Sequence, residues 1–103
     1  MQIDVCKAIG AKAVEIQTAR YSEAKSADEV RRELDALNTA AQHAVDRGLA
    51  VHLGHGLTYR NVRPMLRVPG VQELNIGHSI VARAVLVGME RAVREMKEAI
   101  RGA

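Results

Sequence analysis

Two glycine–histidine segments are the residues of this sequence whose types and spacing indicate chemistry. Gly54-His55-Gly56 follows the apolar segment LAVHL, and Gly77-His78 follows the segment VQELNI. Glycine allows the backbone to approach an anion closely, and histidine is the side chain that exchanges protons near neutral pH. One such glycine is more often a tight turn. Two successive segments that both contain Gly-His instead predict a site that handles phosphate, with His55 as a candidate for proton transfer.

A single carboxylate, Glu15, interrupts an otherwise apolar stretch. Burying a carboxylate without a partner costs free energy, so we expect such a residue to have an interaction partner or a functional role. Two interpretations stay open: Glu15 points to the ligand side of a sheet, or it forms a buried salt bridge with an Arg or Lys of a neighbouring strand. We expect His52 to pack inside the protein or against a helix. Because no close ligand spacing such as H-x-x-x-H occurs, we predict no metal site.

The hydrophobic pattern alternates between the periods of helices and strands. It predicts strands over residues 11–18, 49–53 and 71–76. It predicts helices over residues 2–9, over a segment capped by Ser26 and closed by Gly48, within residues 58–68, and over a long amphipathic segment that begins at the N-cap Ser79 and reaches Ile100. The predicted order is therefore αβαβαβα.

This order predicts an α/β fold, because strands separated by helices form a parallel sheet with right-handed crossovers. We expect residues 1–103 to form one domain. Three strands cannot close a barrel, and a complete (β/α)8 barrel normally needs about 200 residues or more. The chain is thus predicted to be part of such a TIM barrel. Ligands bind at the carboxyl ends of its strands, phosphate commonly after the last two, which is where both Gly-His segments lie.

The composition excludes several classes of protein. The 15 Lys and Arg residues are dispersed among 12 Asp and Glu residues, and aromatic residues make up 2%, so neither a nucleic-acid surface nor a membrane surface is indicated. No apolar run approaches the ~20 residues of a membrane span, and the N-terminus lacks the apolar core of a signal peptide. Cys6 is the only cysteine, which excludes an internal disulfide and favours a reducing, cytoplasmic setting.

The motifs also resemble those of a known family. GHGLTYRNV after one strand and ELNIGHSIVARAV at the next resemble pyridoxine 5′-phosphate synthase, a (β/α)8 enzyme of vitamin B6 synthesis. The resemblance extends back through VEIQTARYSEAK and forward through the last helix, and so covers essentially the whole chain as the C-terminal portion of that family. It implies that the three strands are the sixth, seventh and eighth of the barrel and that the opening helix is the fifth.

The resemblance also implies an activity and a role for each motif residue. The family condenses 1-deoxy-D-xylulose 5-phosphate with 3-amino-2-oxopropyl phosphate to give pyridoxine 5′-phosphate, phosphate and water, without a metal or a redox cofactor. His55 matches the proton donor, and Glu15 matches a glutamate that stabilises the transition state. Gly56, Gly77 and His78 match residues that hold the aminooxopropyl phosphate substrate.

The sequence departs from the family in two respects. Gln17-Thr18-Ala19 stands where the family commonly has His-Thr-Gly. In addition, the family's other catalytic His and Glu and several substrate contacts lie on earlier strands that are missing here. We therefore expect the chain to be inactive alone and competent when complemented by those strands. Because members of the family form homo-oligomers, the resemblance also implies a homo-oligomer as a partner state. A self-associating half-barrel that binds anions without catalysis is the alternative, and another phosphosugar barrel is a weaker one.

Overall fold

The computed structural model of the protein describes Gly10 and residues 12–101. The predicted helix over residues 2–9 lies outside this part of the chain. The strands are β1 (Ala13–Gln17), β2 (Ala50–Gly54) and β3 (Val71–Asn75). The helices are α1 (Ala19–Glu23), α2 (Ala27–Asp46), α3 (His78–Val87) and α4 (Met89–Arg101), with a 3₁₀ helix at Arg63–Arg67. None of the described helices is both long enough and apolar enough to cross a membrane.

The three strands form one parallel sheet in the order β1-β2-β3, as the alternating pattern predicts. β1 (AVEIQ) and β2 (AVHLG) are mainly apolar, whereas β3 (VQELN) contains three polar residues, and the apolar residues include valine, isoleucine and leucine that favour strands. In the register of the sheet, Gln17 is opposite Gly54, and Gly54 is opposite Asn75. The carboxyl ends of all three strands therefore lie in one row.

A β-bulge interrupts the pairing of β2 with β3. Val51 is opposite Val71, but the next residue of β2, His52, is opposite Glu73, so β3 contains one extra residue at this point. Such a residue shifts the alternation of side chains between the two faces. As a result, both Val71 and Leu74 pack against the core although three positions separate them.

Helix α2 begins and ends where the sequence predicts. The Ser26 hydroxyl accepts a hydrogen bond from the Glu29 backbone N–H at 3.1 Å, which satisfies one of the free donors of the first turn. Gly48, with φ of +76°, follows the helix and turns the chain toward β2. Between these ends Leu37, Ala41 and Ala44 are buried at helical spacing against the sheet.

The structure differs from the predicted elements in four respects. Helix α1 is additional, and within residues 58–68 only a 3₁₀ helix forms, with proline at its start. The long C-terminal helix is instead two helices separated by Gly88, whose φ of +88° is unfavourable for other residues. The N-cap is Gly77 rather than Ser79, because the Ser79 hydroxyl donates to the Leu57 carbonyl oxygen at 2.9 Å.

The helices cover one face of the sheet, and the core lies between the helices and that face. Its buried members are Tyr21, Leu37, Ala41, Ala44, Leu49, Val51, Leu53, Leu57, Val62, Met65, Val68 and Met96. The radius of gyration is 14.5 Å, whereas a compact domain of this length has a value of about 13 Å. Over the described residues the other face of the sheet stays open, although parallel sheets normally have both faces covered.

Helices α3 and α4 are joined by an ion pair. The Arg83 guanidinium donates to the Glu95 carboxylate from Nη2 at 2.9 Å and from Nε at 3.1 Å, and Arg91 lies 3.6 Å from the same carboxylate. The hydrogen bond from Arg83 holds the pKa of Glu95 below its usual value of 4.5, and partial desolvation opposes this effect. The pair thus fixes the angle between the two helices on either side of Gly88.

We expect Glu95→Gln to lower the free energy of unfolding at neutral pH. The substitution should also make the free energy of unfolding depend less on pH in the acidic range. Because the pKa of Glu95 is lower in the folded chain, the unfolded chain binds the proton more readily, so the pair stabilises the fold above about pH 4.5 and this contribution is lost as the pH falls further. Urea denaturation between pH 3 and pH 7 measures this. Glu98→Gln, a change at an exposed carboxylate on the same helix, is the matched control; equal pH profiles for the two variants would contradict the prediction.

Candidate functional site

The parallel register brings the predicted site segments to one end of the sheet. Thr18 follows β1, the segment His55-Gly56 follows β2, and Gly77-His78 follows β3 by one residue. His55, Gly56, Gly77 and His78 are all exposed at this end. A ligand approaching the carboxyl ends of the strands would therefore meet both segments.

His55 has an unusual backbone conformation. Its φ is +93°, a value that costs a residue with a Cβ atom about 1–3 kcal/mol and is found where surrounding contacts enforce it. The enforcing contact is a hydrogen bond of 2.6 Å from the Thr18 hydroxyl to the His55 carbonyl oxygen. The Ser22 hydroxyl donates to the same oxygen at a longer distance of 3.4 Å. The imidazole thus projects into solvent from a strained and anchored turn.

Gly56 is a glycine that the fold itself requires. Its φ is +77°, and a Cβ atom added there would lie 2.7 Å from both Cβ and Oγ of Ser22. The Asn61 amide donates to the Gly56 carbonyl oxygen at 3.2 Å, and Tyr21 in turn donates its hydroxyl hydrogen to the Asn61 carbonyl oxygen at 2.6 Å. Burial raises the pKa of the Tyr21 phenol, so the phenol stays protonated as a donor. These contacts hold the loop that follows β2.

Gly77 differs from Gly56 because the fold does not require it. Its φ is −127°, and a Cβ atom added there would meet no atom within 4 Å. Gly77 caps α3 and His78 is the first residue of that helix, so the free N–H groups of its first turn point toward the row of strand ends. Ser79 joins this turn to the loop after β2 through its bond to Leu57.

Glu15 lies on the open face of the sheet and is exposed. Its carboxylate accepts a hydrogen bond of 3.0 Å from the Asn75 amide, across the intervening strand β2. A Cβ atom on Gly54 would lie 2.5 Å from the same carboxylate oxygen and 3.0 Å from the Asn75 Cβ. Gly54 therefore leaves the space through which Glu15 reaches Asn75. This amide takes the place of the Arg or Lys partner of the alternative interpretation.

His52 lies on this open face as well, and the expectation that it packs inside the protein or against a helix is wrong. Its Nδ1 atom lies 3.3 Å from a carboxylate oxygen of Glu73, and both side chains are partly exposed. His52 is opposite Glu15 on one side and Glu73 on the other. The open face is thus a polar surface. Over the part of the chain that the structure describes, no three His, Cys, Asp or Glu residues group as metal ligands.

Three residues of this site were not singled out by the sequence. Thr18 is fully buried, Asn75 is the partner of Glu15, and Asn61 holds the loop after β2. Asn75 could have been found, because it ends a strand beside a Gly-His segment. The contacts of Thr18 and Asn61 connect residues far apart in the chain or depend on a loop conformation, and no spacing rule predicts them.

Fold and site together define a class of protein: a parallel βα-repeat protein whose candidate site lies where the strands end in glycine and histidine. The sequence model of the family described as pyridoxal phosphate biosynthesis protein PdxJ matches residues 1–102. The chain belongs to this family.

Curated relatives carry a more specific name. The chain is 57% identical over 101 residues to a pyridoxine 5′-phosphate synthase of Cyanothece sp., 57% identical over 99 residues to one of Synechococcus sp., and 54% identical over 102 residues to one of Magnetococcus marinus. These matches cover 96–99% of this chain but only 41–42% of each relative. The chain thus spans less than half the length of the synthases that it resembles.

Gly56→Ala and Gly77→Ala are expected to differ in their effect on stability. Gly56 has a positive φ and no space for a methyl group beside Ser22, so its substitution should lower the free energy of unfolding by about 1–2 kcal/mol. Gly77 has a permitted φ and open space, so its substitution should leave stability nearly unchanged. Chemical denaturation of the two variants measures this. A loss at Gly77 as large as that at Gly56 would refute the assignment.

Proposed function

We propose that the chain is the C-terminal part of a pyridoxine 5′-phosphate synthase barrel. In this proposal it contributes to the condensation of 1-deoxy-D-xylulose 5-phosphate with 3-amino-2-oxopropyl phosphate, which gives pyridoxine 5′-phosphate, phosphate and water. One observation carries the proposal: two Gly-His segments lie at neighbouring strand ends in a chain 57% identical to named synthases. The reaction needs no resident metal or redox cofactor, and its phosphorylated substrates belong in the cytoplasm.

The segment Gly77-His78 is suited to hold the aminooxopropyl phosphate. Free N–H groups at the start of α3 and the positive end of its dipole attract a phosphate, and Gly77 presents no side chain to obstruct it. Gly56 contacts the same substrate from the neighbouring loop, which Ser79 joins to this helix. A phosphate between the two loops would therefore meet the backbone donors and His78 at the start of α3 from one side and Gly56 from the other.

His55 is proposed as the proton donor, and Glu15 as the carboxylate that stabilises the transition state. His55 is exposed at the strand ends, near the segment Gly77-His78 that would hold the substrate. Glu15 is held in place by Asn75 on the inner face of the proposed barrel. A carboxylate in this position can stabilise positive charge that develops on the amino-bearing carbon skeleton.

The open face of the sheet supports the proposal that the chain is only part of a barrel. Strands β1, β2 and β3 are proposed as the sixth, seventh and eighth strands of one barrel domain that residues 1–103 share with missing βα units. Val85 is 82% exposed and Leu86 is 79% exposed on α3, which leaves apolar surface for those units to cover. A ring-forming condensation requires several proton transfers, so the present residues are insufficient alone.

The first test joins the chain to the part of a synthase that it lacks. We define the fused enzyme as the N-terminal portion of the Cyanothece synthase, up to the start of the match, followed by residues 1–103. It is expected to form pyridoxine 5′-phosphate from the two substrates, whereas the chain alone is not. His55→Asn in the fused enzyme should lower kcat by about 10²–10⁴ with little change in KM, because a proton donor acts mainly in the transition state. A folded but inactive fused enzyme would count against the function, and full activity of the variant would remove His55 from the mechanism.

Gly77→Val in the fused enzyme is expected to weaken phosphate binding by about tenfold or more, because the side chain would occupy the space through which the anion approaches the backbone. Titration calorimetry with inorganic phosphate measures the affinity. Ala82→Val adds similar bulk at an exposed position of the same helix and should bind as the parent does. Equal affinities of both variants would separate Gly77 from the phosphate site.

A second candidate is a half-barrel that assembles with itself and binds anions without catalysis. The observations that favour it are the open sheet face, the unpaired edges of β1 and β3 in the described chain, and the exposed side chains of Val85 and Leu86. Sedimentation of the isolated chain distinguishes the candidates. A stable monomer at micromolar concentration would rule out self-assembly.

A further inference from the structure

Thr18 is the one buried polar residue among the described residues, with no exposed surface. It lies directly after β1, outside both Gly-His segments, and its side chain contacts the residue proposed as the proton donor. We propose that Thr18 is a positioning residue that fixes the backbone of His55 and thereby the direction of its imidazole. This inference rests on the proposed function of His55 and adds to it the residue on which its geometry depends.

Thr18 holds two consecutive carbonyl groups of the neighbouring strand. Its backbone N–H donates to the Gly54 carbonyl oxygen at 2.9 Å, which continues the ladder between β1 and β2 by one residue. Its hydroxyl donates to the next carbonyl oxygen, that of His55, at 2.6 Å. In an extended strand successive carbonyls point in opposite directions, so a single residue can bind both only if the chain turns between them. The φ of +93° at His55 is this turn.

Thr18 is itself held firmly enough to impose the turn. Gln17 before it is paired with Gly54 in the sheet, and the Thr18 carbonyl oxygen accepts the first hydrogen bond of α1 from Ser22 at 2.9 Å. The N–H, the carbonyl and the hydroxyl of Thr18 therefore all have partners. Because the side chain is buried, no water can replace the hydroxyl if it is removed.

The alternative donor to the His55 carbonyl is weaker. The Ser22 hydroxyl is 3.4 Å from this oxygen, near the limit of a hydrogen bond, and lies on a partly exposed residue. Without the Thr18 hydroxyl, His55 should relax to a negative φ. This change relieves the backbone strain of the turn and redirects the imidazole. A displacement of about 1 Å at a catalytic group can reduce the rate by about a hundredfold.

The test compares three variants of the fused enzyme. Thr18→Val keeps the shape of the side chain and removes the hydroxyl, and is expected to lower kcat by about tenfold to a hundredfold while KM changes by less than about threefold. Thr18→Ser keeps the hydroxyl and should restore kcat to within about threefold of the parent, even though it loses a buried methyl group. Thr39→Val makes the same chemical change at an exposed position of α2 and should have no effect. Thermal unfolding of each variant shows whether it is folded.

A structural measurement accompanies the kinetics and does not depend on activity. Crystal structures of the Thr18→Val and Thr18→Ser fused proteins are expected to show a negative φ at His55 in the first and a positive φ in the second. A positive φ in Thr18→Val overturns the inference, as does a folded Thr18→Val enzyme with the kcat of the parent while His55→Asn is inactive. A fully active His55→Asn enzyme refutes instead the proposed function of His55. The two failures are therefore distinguishable.

Discussion

The candidate site depends on the parallel register of the three strands. Short strands carry few hydrogen bonds each, but the pairing of Gln17 with Gly54 and of Gly54 with Asn75 fixes where all of them end. Loops that are up to 60 residues apart in the chain then begin from one row, as the bond between Glu15 and Asn75 illustrates. The side-chain bonds of Thr18 and Ser79 add a second layer, which joins the loops to one another. Each of these bonds would be impossible if one strand slipped by a single residue.

Three glycines of this row serve three physical purposes. Gly54 leaves room above β2 for the carboxylate of Glu15 to reach its amide partner. Gly56 adopts a positive φ, and its surroundings leave no space for a Cβ atom. Gly77 is free of both constraints, and it leaves open space at the N-cap of α3. Glycine thus provides room for a neighbouring side chain at Gly54, a positive φ at Gly56 and open space at Gly77.

The sequence predicts the architecture better than it predicts the contacts. Hydrophobic periodicity locates all three strands and the S-x-x-E pattern locates the Ser26 cap, because these features depend on neighbouring residues. It misses the break at Gly88, since the apolar spacing continues through the glycine and only the backbone reveals the stop. The exposure of Glu15 does not follow from the sequence, because an apolar strand sequence does not tell whether the second face of the sheet is covered. The role of Thr18 arises from a contact between residues 37 positions apart, which local patterns do not contain.

The extra residue of β3 decides which chemistry the end of that strand can offer. Counting along a regular strand from the pair of Val51 with Val71 would place Leu74 beside Gly54 and turn Glu73 toward the helices. Glu15 would then face an alkyl side chain, and a charge would enter the core. The bulge reverses this alternation of side chains. As a result, the Asn75 amide meets the Glu15 carboxylate on the open face, and Leu74 packs on the face that the helices cover. Deletion of Gln72 would therefore remove the bulge and leave Glu73, Leu74 and Asn75 opposite the same residues of β2, whereas a strand that kept Gln72 in regular pairing would exchange the faces of all three.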